Sequence, residues 1–186
     1  MTTFLKKLLA SSLLVFAFAC GGPVDSSDET SSDIKAPLNY EPFDGYADAL
    51  ARAARYGKNP AAVGLVGVRT ADTTGFEWQW TFQCDDRMYV EIATAPGYVR
   101  VKSHSKRAYL LPMGTFDPAK LAVSGIDLAQ ILNKAGYPTM LNASLDAPVT
   151  SKMQPRWLAQ VRRPSGNMAA QTTSIVVDAM SGSIVQ

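Results

Sequence analysis

The chain has 186 residues, of which 47% are apolar and 18% are charged, and this is enough for one domain with a hydrophobic core. One histidine and two cysteines argue against a metal centre built from histidines and against a cysteine-rich zinc module. Two lysines and no acidic residue lie in the first 19 residues, so the rest of the chain has 16 basic and 16 acidic side chains. This balance argues against nucleic acid as a partner.

The first 20 residues have the pattern of a bacterial export signal. Lys6 and Lys7 precede an apolar run over residues 8–19. That run is too short to cross about 30 Å of hydrocarbon comfortably, but it has the length of a signal-peptide core. We therefore predict that residues 1–19 are a signal peptide.

The end of this run resembles the lipobox of bacterial lipoproteins, because Ala17-Phe18-Ala19 precedes Cys20. The resemblance implies cleavage before Cys20, a diacylglycerol on its thiol and a further acyl chain such as palmitate on its amine. Gly21 in place of Asp resembles the lipoproteins that are sent to the outer membrane, where the domain would lie on the periplasmic or the surface face. Ala17-Phe18-Ala19 also satisfies the ordinary A-x-A cleavage pattern, so a soluble periplasmic or secreted protein is the alternative.

The two cysteines distinguish these two kinds of processing. If Cys20 is acylated, Cys84 is the one remaining thiol and an internal disulfide cannot form. If Cys20 is unmodified, a Cys20–Cys84 disulfide becomes possible in the oxidising compartment outside the cytoplasm. Residues 20–39 are rich in Ser, Asp, Gly and Pro. This composition predicts a disordered tether between the acylated cysteine and the domain.

The first predicted unit, residues 40–105, begins with a helix over residues 44–56 that Gly57 ends. Polar and apolar residues then alternate without exception over residues 76–84, which predicts a strand. Its apolar face carries Phe76, Trp78, Trp80, Phe82 and Cys84. We expect this aromatic stripe to be core, with a ligand platform as the alternative, and Cys84 to be a buried and inert thiol.

A hairpin is predicted to complete the first unit. Residues 88–94 and a strand that starts at Tyr98 flank the turn at Pro96-Gly97, where proline fixes φ and glycine tolerates a positive φ. The register expected for a two-residue loop pairs Ala95 with Tyr98, Ile92 with Val101, and Glu91 with Lys102.

The second predicted unit, residues 126–186, follows a connector over residues 106–125. It has a helix over Asp127–Ala135 and then short strands near residues 156–162, 173–180 and 183–185. The order of elements resembles that of the first unit. We therefore predict an α+β fold of two related units, each with a short helix and a three-stranded antiparallel sheet.

Residues 157–184 resemble a PepSY-type module. That family ends with a strand, an Asp-Ala-x-Thr-Gly turn and another short strand. Here the turn runs from Asp178 to Gly182, with Ser181 where threonine is usual. The resemblance implies a PepSY-like α+β fold and an extracytoplasmic, non-catalytic module of the kind found in protease propeptides.

The sequence contains no catalytic motif. G-x-S-x-G, H-E-x-x-H, P-loop and G-x-G-x-x-G patterns are absent. Ser103 and Ser105 flank His104, but neighbours on a strand point to opposite faces, so adjacency makes no Ser–His pair. Asp85-Asp86 has the character of a solvated turn. We predict that the protein is not an enzyme and has no cofactor and no metal.

Basic residues alternate along the strand that follows Pro96-Gly97. They are Arg100, Lys102, His104 and Lys106, with Arg107 next in the chain. On a regular strand the first four would line one face over roughly 20 Å. The functional interpretation is a contact for an anionic partner, while the alternative is a solvated face or an edge that its charges protect from strand pairing.

These features predict a membrane-anchored extracytoplasmic lipoprotein that acts as a non-enzymatic binding or assembly module of the cell envelope. Its expected partners are the membrane, through the lipid on Cys20, and an anionic envelope protein or polysaccharide, through residues 98–107. No nucleic-acid partner is expected. Two alternatives stay open: a PepSY-like peptidase-inhibitory module and a small secreted hydrolase.

Overall fold

The structure, a computed structural model, describes residues 36–72, 74–108, 114–148, 153–163 and 171–185. In these residues nine strands and two α-helices are formed. The strands are β1 (Ala36–Pro37), β2 (Ala61–Arg69), β3 (Gly75–Gln83), β4 (Met88–Ala95), β5 (Tyr98–Lys106), β6 (Thr139–Asp146), β7 (Arg156–Arg163), β8 (Gln171–Asp178) and β9 (Ile184–Val185). The helices are α1 (Tyr46–Ala53) and α2 (Gly125–Lys134).

All nine strands belong to one antiparallel sheet. Its order is β5-β4-β3-β2-β6-β7-β8-β9, and the short β1 pairs with β3. Most neighbours in the sheet are also neighbours in the chain. The exception at the centre is β2 with β6, where residues 64–68 pair with residues 142–146. This pairing joins the strands of the two halves into one continuous sheet.

The predicted fold of two PepSY-like units, each with a short helix and a three-stranded sheet, is therefore wrong. The chain forms a sheet-rich fold with one large sheet and two short helices. The prediction lacked β2 and β6, the two central strands. Each contains a bulge, between Ala62 and Gly64 in β2 and between Met140 and Asn142 in β6. Because a bulge adds one residue to a strand, it breaks the two-residue alternation by which strands are predicted.

The hydrophobic core lies on the helix-bearing face of the sheet. Trp80 and Leu65 from the first half, and Leu145 and Trp157 from the second, are fully buried. Phe43, just ahead of α1, joins the two halves, because its ring centroid lies 6.1 Å from that of Trp80 and 6.2 Å from that of Trp157. The core is thus shared across the β2–β6 junction.

Polar contacts also tie the two halves together. The carboxylate of Glu41 accepts hydrogen bonds from the backbone N–H groups of Phe43, Gly125 and Ile126, at 3.0, 3.3 and 3.0 Å. The last two lie in the first turn of α2, so Glu41 from the first half satisfies N–H groups that a helix N-terminus leaves unpaired. Ser124 and Asp127 complete a capping box at the same end of α2.

The turn on which the PepSY resemblance was based has a structural role. Asp178 Oδ1 accepts hydrogen bonds from the backbone N–H groups of Met180 and Ser181, at 2.9 and 2.8 Å. Gly182 has a φ of +73°, in the left-handed region that favours glycine. These residues make the turn between β8 and β9, and such a turn is compatible with many folds.

Candidate functional site

The predicted lipidation residue, Cys20, lies outside the described residues, as do the predicted signal peptide and residues 20–35 of the predicted tether. The described chain begins at β1, within the range that was predicted to be tether. There Ala36 pairs with Phe76 and Pro37 with Gly75. The chain is therefore bound to the sheet from Ala36 onward.

Cys84 lies in the core, where only 1% of its side chain is exposed. A Cβ atom at Gly57 would lie 2.6 Å from the Cys84 sulfur, so glycine is needed there for this close packing. Burial, followed by the nearby carboxylates of Asp86 and Asp85, raises the pKa of the Cys84 thiol to about 11. A disulfide with Cys20 would require this sulfur to leave its packed position.

We expect the Cys84 thiol to resist alkylation in the folded protein and to react fully after unfolding in urea. Its folded pKa of about 11 lies above the ordinary value of 9.0. The folded state therefore holds the thiol proton more tightly, and this contribution to stability is complete below pH 9 and is lost as pH rises through 11. A thiol-reactive mass label, applied with and without urea at pH 8, measures the effect. Labelling of the folded protein at the rate of the unfolded one would contradict it.

The basic residues predicted to contact a partner lie on or next to β5, which we call the cationic strand. It forms one edge of the sheet, because it has β4 as its neighbour on one side and no described strand on the other. Its observed pairs include Ala95 with Tyr98 and Ile92 with Val101, as predicted. The predicted pair of Glu91 with Lys102 is wrong, since Glu91 pairs with Ser103. A bulge between Glu91 and Ile92 of β4 leaves Lys102 as the extra residue of β5.

The bulge divides the basic side chains between the two faces of the sheet. Arg100 pairs with Ala93 on the face away from the helices, whereas His104 pairs with the buried Val90 on the helix-bearing face. Lys106 shares the face of His104, opposite Met88. The single stripe of four basic groups predicted from regular alternation is therefore not formed. The cations instead surround an exposed edge.

The chain segment that forms this edge carries basic residues and lacks acidic ones. No acidic residue occurs between Glu91 and Asp117, a stretch that contains the five predicted contact residues. Glu91 itself accepts a hydrogen bond of 2.7 Å from the Ser103 hydroxyl. Lys102 and Lys106 are exposed, and neither forms an ion pair with another residue in the described ranges. These two ammonium groups are available to an anion from outside the domain.

Aromatic rings contact basic side chains at the C-terminal end of β5. The His104 ring lies 4.7 Å from that of Tyr56, which follows α1, and the Arg107 guanidinium lies 4.2 Å above the Tyr89 ring. Arg87, in the turn before β4, donates to the Ala108 carbonyl oxygen at 2.7 Å. The backbone near Lys106 is thus fixed rather than hanging free of the sheet.

His104 has no serine on its own face of the strand. Ser103 and Ser105 pair with Glu91 and Tyr89, whose side chains belong to the face away from the helices. The ring of His104 contacts Tyr56 instead. The described geometry therefore contains no Ser–His pair at this position.

The four rings of the aromatic stripe are core residues in the structure. Phe76, Trp78, Trp80 and Phe82 are 4%, 3%, 0% and 0% exposed. They lie on the helix-bearing face of the sheet and contact one another and the rings of Phe43 and Tyr46. A ligand could not stack on them without displacing these neighbours.

An open groove of about 560 Å³ lies at the end of the sheet where β2 begins and the neighbouring β6 ends. It is lined mainly by apolar side chains. The lining residues are Tyr46, Pro60, Ala61, Ala62, Thr115, Phe116, Asp117, Lys120, Leu121, Pro148, Met153, Gln154, Pro155 and Met180. Its carboxylate and its ammonium lie 3.9 Å apart, at Asp117 and Lys120, so they partly neutralise each other. The groove lining thus offers shape and apolar surface rather than a reactive group.

The described part of the chain holds no group of three or more His, Cys, Asp or Glu side chains that could bind a metal ion. Neither of its two α-helices is long and apolar enough to cross a membrane.

The sequence pattern could have found some of these features and not others. The lack of acidic residues around β5 is visible in the sequence and marks the cationic edge. The groove has no such signal, because its lining comes from segments as distant as Tyr46 and Met180. The bulge at Lys102 also has no sequence signal, since no glycine or proline occurs at that position.

No protein-family model matches this chain, and no curated protein matches it either. Among solved structures, a crystal structure of a protein from Clostridium difficile 630, described as a "putative lipoprotein", is similar. The match has a TM-score of 0.45 and 16% identity over 83% of this chain and 93% of that chain.

Proposed function

We propose that the protein is an envelope lipoprotein, anchored by a lipid on Cys20, whose sheet domain binds an anionic partner through the edge strand β5. The anchor is supported by the sequence, in which a signal-peptide core and Ala17-Phe18-Ala19 directly precede Cys20. The partner is an acidic protein or polysaccharide of the envelope. Binding, and not catalysis, is the activity proposed, with the domain held at the outer membrane.

The observation that carries the binding proposal is the exposed charge of Lys102 and Lys106 on β5, which form no ion pair with another residue in the described ranges. Lys102 and Lys106 lie on an edge strand, and residues 92–116 contain no carboxylate that could compensate them. The exposed Lys120, by contrast, has the carboxylate of Asp117 at 3.9 Å. Separated charge of one sign attracts and orients an oppositely charged macromolecule.

Edge geometry adds to this attraction. The backbone N–H and C=O groups of β5 that point away from β4 could form hydrogen bonds with another extended chain. Exposed lysines discourage pairing with a second cationic copy of the same strand, but they favour an acidic segment. The edge is therefore selective for partners of negative charge.

We expect the double substitution Lys102→Glu with Lys106→Glu to weaken binding to heparin and to poly-glutamate by about tenfold or more. Exposed ion pairs each contribute about 0.2–1 kcal/mol, and reversal replaces attraction by repulsion at two positions. Retention on immobilised heparin and titration with poly-glutamate at low ionic strength measure the loss. Both probes should lose affinity as salt is raised, because salt screens exposed charges.

A matched control is the double substitution Lys120→Glu with Lys134→Glu. It changes the net charge by the same amount at two exposed lysines of the second half, remote from β5 in the strand order. We expect it to reduce binding only slightly. Equal loss in the two variants would show that net charge and not β5 governs binding, and would contradict the proposed site.

A further inference from the structure

We propose that the anionic partner of the cationic strand is an acidic polysaccharide, whose sugar rings pack against Tyr56 in the angle between α1 and β5. This inference rests on the proposed anion-binding role of β5 and names the class of its partner. It also adds two residues from outside β5, Tyr56 and Arg52, to the binding surface.

Helix α1 runs beside the cationic strand on the helix-bearing face of the sheet. A Cβ atom at Gly45, just before α1, would lie 3.0 Å from the Thr94 side chain, and one at Gly57, just after it, would lie 2.9 Å from that of Met88. Thr94 and Met88 lie near the two ends of β4, opposite the beginning and the end of β5. The helix therefore extends along β4 in the direction of β5, and residues 102–106 of β5 stay exposed at its side.

Tyr56 marks the side of α1 that faces β5. Its ring centroid lies 4.7 Å from that of His104, and 36% of Tyr56 is exposed. The winding of the chain continues to this residue, because its backbone N–H donates to the Ala53 carbonyl oxygen at 2.9 Å. Residues four apart on a helix share a side, so Arg52 lies on this side too, about 6 Å toward the start of α1.

Positive charge borders Tyr56 on both elements. Arg52 is half-buried, Lys106 is exposed, and neither forms an ion pair with another residue in the described ranges. The one acidic residue of α1, Asp48, lies in its first turn, whereas Arg52 lies in its last. Because α1 and β5 run in the same direction, Arg52 and Lys106 lie on opposite sides of the contact between Tyr56 and His104.

This combination fits an acidic sugar polymer better than an acidic peptide. The C–H groups on one face of a sugar ring pack against an aromatic ring, and carboxylate or sulfate groups on the sugar pair with arginine and lysine. A peptide that added to the edge as a strand would lie in the plane of the sheet. It would pass Lys102 but would not reach Tyr56 or Arg52, which lie above that plane with α1.

Two polymers with the same anionic group test the inference. Polygalacturonate has one carboxylate on each sugar and poly-glutamate has one on each residue, so they share the charged group and differ in the ring. We expect Tyr56→Ala in the purified full-length protein to weaken polygalacturonate binding about threefold or more and to leave poly-glutamate binding unchanged. Isothermal titration calorimetry in neutral detergent at low ionic strength measures both affinities. Equal effects on the two polymers would overturn the inference.

Tyr98→Ala is the matched control for the loss of an exposed tyrosine. Tyr98 is 43% exposed and belongs to β5, but it pairs with Ala95 on the face away from the helices. We expect this variant to bind both polymers as the wild-type protein does. A loss of polygalacturonate binding as large as that of Tyr56→Ala would overturn the placement of the sugars beside α1.

The charge on α1 is tested by Arg52→Gln, with Lys134→Gln as its control. Each is the basic residue in the last turn of its helix, so each change removes one charge and one favourable interaction with a helix C-terminus. We expect Arg52→Gln to lower polygalacturonate affinity about two- to fivefold and Lys134→Gln to change it by less than about 1.5-fold. Equal losses would show that net charge alone governs binding and would overturn the part assigned to α1.

The single histidine of the chain locates the contact without any substitution. In the untagged protein, the two ring C–H signals of histidine in an NMR spectrum belong to His104. We expect trigalacturonate, added at constant pH, to shift both signals, because the sugar binds next to a ring that His104 contacts. Signals that stay unchanged at saturation would overturn the inference, whatever the stability of the variants.

The outcomes separate this inference from the proposed function. If Lys102→Glu with Lys106→Glu loses binding to both polymers while Tyr56→Ala and Arg52→Gln bind as the wild-type protein does, the anion site on β5 stands and the inference is overturned. If neither polymer nor heparin binds the wild-type protein at low ionic strength, the proposed function itself is rejected.

Discussion

Replacing Cys20 by serine is expected to move the protein almost completely from the membrane fraction to the soluble extracytoplasmic fraction. A serine hydroxyl cannot take the place of the thiol that carries the diacylglycerol. Each buried CH₂ contributes about 0.8 kcal/mol, so several acyl chains hold a protein stably on a membrane, whereas a single chain binds only marginally. Fractionation together with intact mass measures the change. The wild-type mass should correspond to cleavage before Cys20 plus the acyl chains.

Cys84→Ala is the control for the loss of a cysteine. Its thiol is in the core, so the variant should stay in the membrane fraction with its acyl chains intact. A wild-type mass without acyl chains would contradict the anchor and would make the protein a soluble exported one. A Cys20–Cys84 disulfide would then become possible again, although its formation would require the buried Cys84 sulfur to leave the core.

The strand β3 shows what the sequence pattern can predict. Its alternation over residues 76–84 holds because one face packs under the helices and the other does not. The burial of Trp78 and Trp80 follows from that alternation. The β4–β5 turn was predictable for a related reason, since Gly97 adopts a φ of +68° that glycine tolerates.

The central strands show where prediction from sequence fails. β2 has Gly64 and Gly67 in its interior and apolar residues on both faces, so it lacks a strand-like alternation. Gly67 is required by packing, because a Cβ there would lie 2.4 Å from the Trp78 ring. That reason exists only once β2 and β3 are side by side. The pairing of β2 with β6 is equally non-local, and it converts two predicted sheets into one.

The cationic edge lies between these two cases. Its residues and their missing counter-charges were visible in the sequence, but their arrangement was not. The bulge at Lys102 changes the face of every basic residue after it. Because side chains on a strand repeat every two residues, one extra residue is enough to place Arg100 and His104 on opposite faces.

Trp157→Phe is expected to lower the free energy of unfolding by about 2–4 kcal/mol. Trp157 is fully buried, and its indole N–H donates to the Val123 carbonyl oxygen at 3.0 Å. Phenylalanine removes this donor and leaves a buried acceptor unsatisfied, besides reducing contact with Phe43 and Trp78. Urea unfolding followed by circular dichroism measures the loss without relying on tryptophan fluorescence.

Trp80→Phe is the matched change in the other half of the sheet. Trp80 is also fully buried, but its indole N–H makes no hydrogen bond with any residue in the described ranges. The substitution removes the same ring volume and, with it, a buried donor that lacks a partner, so no acceptor is left unsatisfied. We expect its loss to be smaller than that of Trp157→Phe by about 1–3 kcal/mol. Equal losses would mean that ring volume alone determines stability here and that the bond to Val123 contributes nothing. A larger loss for Trp80→Phe would mean that its N–H has a partner when the protein is folded.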